Sequence, residues 1–236
     1  MKVVLISHTI DPEAVVAAAI NQCYSAKSGE ELKETISLEK RERLIDIVMN
    51  SGHLSTIEHA SFTFAVEGVS RVTETQLVRH RHASYSIKSG RYNKTHTDFV
   101  IPASIANNPE AMQAVEEFKK SLDQTVEKLK ALEIKPEDAR YLTPQATKTN
   151  IILTMNARGL LNFFEHRLCI RAQWEIRELA NEMLKLVKPI APNIFKFAGP
   201  TCETQKICWE GDLSCGKWKA ISGAELRTRT VKKSSK

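Results

Sequence analysis

Between Glu74 and Asp98 the chain contains no carboxylate. The centre of that stretch reads Arg79-His80-Arg81-His82-Ala83-Ser84-Tyr85-Ser86-Ile87-Lys88-Ser89-Gly90-Arg91-Tyr92, with four permanent cations, two imidazoles and three serine hydroxyls. Unpaired charges are costly to bury, so such a segment cannot form part of a core. It must fold into full contact with water or around an anion brought from outside. Arginine is the side chain best built for a bidentate grip on phosphate. Serine hydroxyls, and a glycine that lets backbone N–H groups come close, complete a phosphate-binding inventory. A solvated basic loop is the plain alternative.

Three further stretches bear on the choice. One is His53-Leu-Ser55-Thr-Ile-Glu58-His59, and another is Ala139-Arg140 followed by Leu142. The third runs from Asn156-Ala157-Arg158 through Asn162 and Arg167 to Cys169, Gln173, Trp174, Glu175, Ile176 and Arg177. Taken with Arg79-His80-Arg81, the seven residues to Ser89, and Arg91-Tyr92, the chain resembles the flavin-dependent thymidylate synthase family. Leu5-Ile-Ser-His8-Thr9 before Asp11-Pro12-Glu13 is also similar to that family, and the resemblance spans residues 3 to about 200.

Bulk properties narrow the reading further. A chain of 236 residues can bury a substantial core as one domain, or as one domain with an appendage. The net charge of +6 is confined to residues 217–236, which hold seven Lys/Arg and one Glu. The remainder is neutral, so the basic balance is no sign of a nucleic-acid-binding body. Met1-Lys2 leads straight into Val3-Val-Leu-Ile6, too short for a secretory core, and no apolar run approaches transmembrane length. Five widely spaced cysteines without export context are expected as reduced thiols in a cytoplasm.

The pattern along the chain predicts an α+β fold with long helices packed on a small antiparallel sheet. Strands are expected at 3–7, 62–69 and 147–155. Helices are expected from Asp11-Pro12, over 38–50 with Leu44, Ile45, Ile47 and Val48 inward, and after Ser70 towards Arg79. Two more are expected over 110–132 and over 157–187, the last as two helices or one bent one. Residues 93–108 read as mostly loop. Periodicity ends at Gly199-Pro200, which divides a domain over 1–200 from an irregular Cys-containing basic tail over 201–236. The family resemblance implies the same kind of domain, a thymidylate synthase-complementing-protein-like fold, assembled as a homotetramer with active sites shared between subunits.

The resemblance also implies residue roles. Gln76, Leu77, Val78 and Arg79 would touch the pyrimidine nucleotide dUMP, as would Ile87, Lys88, Ser89, Gly90 and Arg91, with Arg91 on the phosphate. Arg140 and Arg167 would complete that set. Ser55, Arg79, His80, Arg81, Ile87, Asn156, Ala157, Arg158 and Asn162 would hold FAD. Arg167 is the expected catalytic side chain, because a guanidinium at the uracil edge stabilises negative charge as the ring reacts. Ile87 departs from the family's usual Glu or Gln, so only its backbone could contact a ligand.

Read on their own, several of these residues have plainer explanations. Gln76 and Arg79 are spaced as an exposed pair on one helix face. Ser55-Thr-Ile-Glu58 has the form of a capping box. Arg158 and Asn162 lie four apart, as on a solvated helix face, beside an apolar stripe of Leu160, Phe164 and Leu168.

Gly211-Asp-Leu-Ser-Cys-Gly216-Lys217 has P-loop spacing, but Trp218 stands where Ser or Thr must reach magnesium. Cys202, Cys208 and Cys215 lack the usual short metal-binding pairs, so no metal site is expected. The resulting expectation is a methyltransferase that converts dUMP to dTMP. The resemblance implies FAD, NADPH as reductant and methylenetetrahydrofolate as carbon donor, with no specific nucleic acid and no membrane. The rival is a non-catalytic RNA-binding protein using the basic run and tail, with Tyr85 and Tyr92 as stacking platforms.

Overall fold

Alternating apolar and polar residues build four strands, β1 (Lys2–His8), β2 (Ser61–Ser70), β3 (Ala83–Ile87) and β4 (Lys148–Asn156). The computed structural model describes residues 1–89 and 97–218. Among these, the helices are α1 (Pro12–Gln22), α2 (Gly29–Thr35), α3 (Leu38–Ser51), α4 (Arg71–Leu77), α5 (Ala103–Ala106), α6 (Pro109–Ala131), α7 (Pro136–Ala139), α8 (Ala157–Arg167), α9 (Trp174–Val187), α10 (Pro192–Phe195) and α11 (Thr201–Thr204). Short 3-10 turns cover Leu54–His59, Arg140–Leu142 and Gly211–Leu213. The sheet is antiparallel with order β1-β2-β4-β3, so the expected α+β class is observed.

The chain divides into two compact units. The first comprises Met1–Val3 and Ala65–Leu153. Its buried side chains include Val66, Val69, Thr73, Leu77, Leu122, Ile151 and Leu153. Ser70 ends β2 and its hydroxyl accepts from the N–H of Thr73 (3.2 Å), so the strand passes directly into α4. The long helix α6 starts at its Asn108 cap, where Oδ1 accepts from Ala111 N–H at 3.1 Å, and it buries only Leu122 fully. Phe118 of α6 meets Phe99 at a ring separation of 6.3 Å.

The second unit comprises Val4–Phe64 and the described residues from Thr154 onward. Phe62, Phe163, Phe164 and Phe195 are fully buried, with Phe195 edge-on to Phe62 at 5.4 Å and to Phe164 at 6.1 Å. Each such ring contributes about 1.5–3 kcal/mol of burial. Asp11 adopts a left-handed φ of 46° and caps α1 by accepting from Ala14 N–H, while Arg41 donates to its other oxygen at 2.8 Å. Gly52, at φ 79°, terminates α3, where a side chain would be strained.

Some expectations shift. Ile47 is exposed rather than inward, because α3 turns only Ile45 and Val48 fully into the core. The helix α2 was not anticipated, although Ser28-x-x-Glu31 announces it and forms a complete capping box. Residues 157–187 resolve into two helices, with Gln173 capping the second by accepting from Glu175 and Ile176 N–H. Beyond Pro200 the described residues form α11 and a short 3-10 turn, with Cys208 buried.

Candidate functional site

In the first unit, the candidate nucleotide residues sit where α4 gives way to β3. Helix α4 ends at Leu77 with Val78 as its cap, so Arg79 lies beyond the helix. Gln76 is thus the last-but-one residue of the helix, and Arg79 follows two residues after its end. The chain instead folds back on itself, with His80 N–H donating to the Leu77 carbonyl at 3.1 Å. Tyr85, from β3, secures this turn: its Oη lies 2.9 Å from the Leu77 carbonyl oxygen and 2.8 Å from that of His80. Burial pushes the Tyr85 hydroxyl up to about 12, so it remains a neutral donor.

This clamp leaves Arg79 and Arg81 exposed, with no acidic partner among the described residues. The last carboxylate before the basic run is engaged elsewhere, since Arg71 donates to Glu74 at 3.2 Å. Burial raises the Glu74 carboxyl above the usual range, and the Arg71 charge offsets part of that rise. The turn therefore presents uncompensated positive charge to solvent. The sequence offers Tyr85 as a stacking ring, and no local pattern marks it for this clamping role.

Further along, Ile87 ends β3 and Lys88 N–H donates to the Asn150 carbonyl at 2.9 Å. Asn150 Oδ1 in turn accepts from Gly68 N–H at 3.1 Å, so one residue of β4 ties this end of β3 to β2. Lys88 and Ser89 are exposed. Gly90, Arg91 and Tyr92 lie outside the described residues. Arg140 is half-buried in the 3-10 turn that follows α7.

In the second unit, the candidate flavin residues gather at the start of α8. Asn156 is its N-cap, with Oδ1 accepting from Gly159 N–H at 2.8 Å. Ala157 is fully buried and its N–H donates to the Ala60 carbonyl at 2.7 Å, which fixes the helix against the segment carrying Ser55. Ser55 lies inside the 3-10 turn Leu54–His59, whose cap position is His53 with no side-chain bond. The expected capping box at Ser55 is therefore absent, and Glu58 instead accepts from Arg158 at 2.6 Å. Arg158 and Asn162 are exposed one turn apart, while Leu160, Phe163 and Phe164 are buried on the opposite side. Arg167, half-buried, is the last residue of α8.

In the first unit the exposed guanidiniums of Arg79 and Arg81 are groups suited to bind phosphate. In the second unit the exposed Arg158, in the first turn of α8, is another such group. The P-loop spacing at 211–217 does not take that form, since Gly211–Leu213 is a 3-10 turn and no helix follows among the described residues. No helix among the described residues is long and apolar enough to cross a membrane.

Comparison with known proteins bears on this arrangement. A family model described as thymidylate synthase complementing protein matches residues 4–193. The flavin-dependent thymidylate synthase of Clostridium tetani is 50% identical over 234 residues, covering 92% of this chain and 94% of that protein. The flavin-dependent thymidylate synthase of Geobacter sulfurreducens is 47% identical over 220 residues, with coverage of 92% and 94%. A crystal structure of the flavin-dependent thymidylate synthase of Helicobacter pylori, complexed with FAD and dUMP, shares the fold. It has a TM-score of 0.63 at 24% identity and covers 84% of this chain and all of that one.

Proposed function

Because the chain belongs to the family of flavin-dependent thymidylate synthases, we propose that it converts dUMP to dTMP by reductive methylation. When bound, FAD would supply the hydride after reduction by NADPH, with methylenetetrahydrofolate as the carbon donor. The geometric support is the Tyr85-clamped turn, which holds Arg79 and Arg81 outward without carboxylate partners among the described residues. The RNA-binding alternative finds no support among the relatives.

The chain's own residues divide the work. Gln76, Leu77, Val78 and Arg79 contact the nucleotide at the end of α4, and the backbone of Ile87, Lys88, Ser89 and Gly90 continues that contact. Ile87, at the end of β3, offers only main-chain groups. Arg140 and Arg91 add cationic contacts to dUMP. Arg167 faces the uracil edge and stabilises negative charge at N3 and O4 during methylation. Ser55, Arg79, His80, Arg81, Ile87, Asn156, Ala157, Arg158 and Asn162 orient the flavin. Cationic neighbours favour its negatively charged groups.

The protein assembles as a homotetramer with active sites at subunit interfaces, working in the cytoplasm. The synthase domain covers residues 1–200, followed by a tail over 201–236. The deciding experiment is turnover of purified protein with dUMP, methylenetetrahydrofolate and NADPH, alongside its visible spectrum. Yellow protein that forms dTMP is the expected result. A colourless protein that forms none after FAD is added would refute the reading.

A further inference from the structure

Four of the five cysteines in the chain line one cavity. Cys169 comes from the connection between α8 and α9, while Cys202, Cys208 and Cys215 come from the segment after Pro200. We propose that Cys169, Cys202, Cys208 and Cys215 form a structural Zn²⁺ site that fastens residues 201–218 to the α8–α9 connection.

Sequence spacing alone spoke against a metal, because the three tail cysteines are too far apart to make a short chelating pair. The fold changes this by adding a fourth thiol from a segment more than thirty residues earlier. Local geometry then explains how the tail cysteines converge. Lys206 takes a left-handed φ of 60° and turns the chain after α11, and Cys208 is buried. Ser214 draws the second bend inward: its hydroxyl lies 3.4 Å from Cys208 Sγ and accepts from Gly216 N–H at 3.2 Å. Gly216, at φ 79°, permits the reversal directly after Cys215. Lys217 pairs with Glu203 across the same segment.

The cavity has the chemistry of a thiolate site. All five cysteines are free, and four thiolates are the ligand set that tetrahedral zinc prefers. Arg171, Arg177 and Lys217 line it together with Glu203 and Glu210, so with Lys217 paired to Glu203 the guanidiniums of Arg171 and Arg177 face the thiols against the Glu210 carboxylate. The buried Trp218 Nε1 has no hydrogen-bond partner among the described residues, and a metal-bound thiolate is an acceptor for it. Burial first, then the charges of Glu203 and the three neighbouring cysteines, hold the Cys202 thiol above its ordinary range. Zinc binding displaces thiol protons to solvent. The thiols are gathered but not closed, since among the described residues no three potential ligands already stand at metal-shell spacing. Zinc binding must therefore draw the four thiols closer than the metal-free structure holds them.

The test is elemental analysis of the full-length protein purified under reducing conditions and loaded with Zn²⁺, then desalted. The variants are Cys169→Ser, Cys202→Ser and Cys215→Ser, with Cys23→Ser as the control because Cys23 lies outside the cavity. The expected result is one zinc per chain in the parent and in Cys23→Ser. In each of the other three, affinity should fall about tenfold or more, since even outer-shell changes cost that much. Cys215 is exposed, so its replacement keeps the test valid if a more buried cysteine proves necessary for folding. A parent without zinc, a site filled by iron, zinc retained in all variants, or equal loss in Cys23→Ser would overturn the proposal.

Discussion

The phenol oxygen of Tyr85 lies 2.8 Å from the carbonyl oxygen of His80, within the turn that carries Arg79 and Arg81. A strand residue thus fixes the backbone of the basic segment, while the cations themselves stay in solvent. Positioning and charge are supplied by different residues, so mutation can separate them.

Tyr85→Phe keeps the ring and removes the hydroxyl. The Leu77 and His80 carbonyls lose a donor, at a cost of about 1 kcal/mol in stability. Binding of FAD and dUMP should weaken by more than this stability loss explains, because the turn is no longer held. Denaturant unfolding beside ligand titration checks it. Unchanged affinities in a destabilised protein would show that the clamp has a purely structural role.

The same hydroxyl predicts a pH signature. Its pKa is raised by burial from 10.0 to about 12, so the folded protein holds this proton more tightly than the unfolded chain. The stabilisation is complete below the unfolded value and is lost as pH rises through the folded one. Between pH 10 and 12 the parent should lose stability more steeply than Tyr85→Phe. Parallel curves over that window would mean that Tyr85 is not the titrating group.

Arg167→Ala should fold and keep its flavin but lose dTMP formation by about 10²–10³, the usual cost of removing one electrostatic donor at developing charge. Arg167 closes α8 without joining the fully buried core, so truncation leaves the Phe163–Phe164 packing intact. Single-turnover product analysis with normal visible absorption is the measurement. Near-parental turnover would remove Arg167 from its role.

Sequence periodicity located most of the framework because its strands and long helices bury one face each, as β2 and α9 do. The details that set the site were less accessible. The end of α4 depends on Tyr85 capturing two carbonyls eight and five residues earlier, a tertiary bond that no local pattern encodes. Ser55-Thr-Ile-Glu58 matched a capping box, yet Glu58 is drawn to Arg158, a hundred residues away in sequence. The gathering of Cys169 with the tail cysteines is likewise a product of the fold.

That Glu58–Arg158 pair is exposed on both sides, and exposed pairs are worth about 0.2–1 kcal/mol. Glu58→Gln should leave stability nearly unchanged. If Arg158 serves the flavin, removing the competing carboxylate should tighten flavin binding by up to about fivefold, the equivalent of that pair energy. Flavin titration of the apoprotein gives the answer. Weaker binding in Glu58→Gln would mean that Glu58 orients the guanidinium for its ligand.

Asn156 caps α8 and is proposed to touch the flavin, two roles that two substitutions can divide. Its Oδ1 caps α8 at 2.8 Å from Gly159 N, and the family resemblance assigns the residue to the flavin. Asn156→Ala loses the cap, at about 1 kcal/mol in stability, together with any flavin contact. Asn156→Asp keeps an oxygen acceptor, and its negative charge suits a helix N-terminus, so stability should be retained or slightly raised. The same charge repels an anionic cofactor, so flavin affinity should fall in Asp at least as far as in Ala. Thermal unfolding of the apoproteins and flavin titration together separate the two functions. Should Asn156→Asp bind flavin as tightly as the parent, the helix start of α8 would be a structural cap alone, and the flavin would have to be held by Arg158 and Asn162 without it.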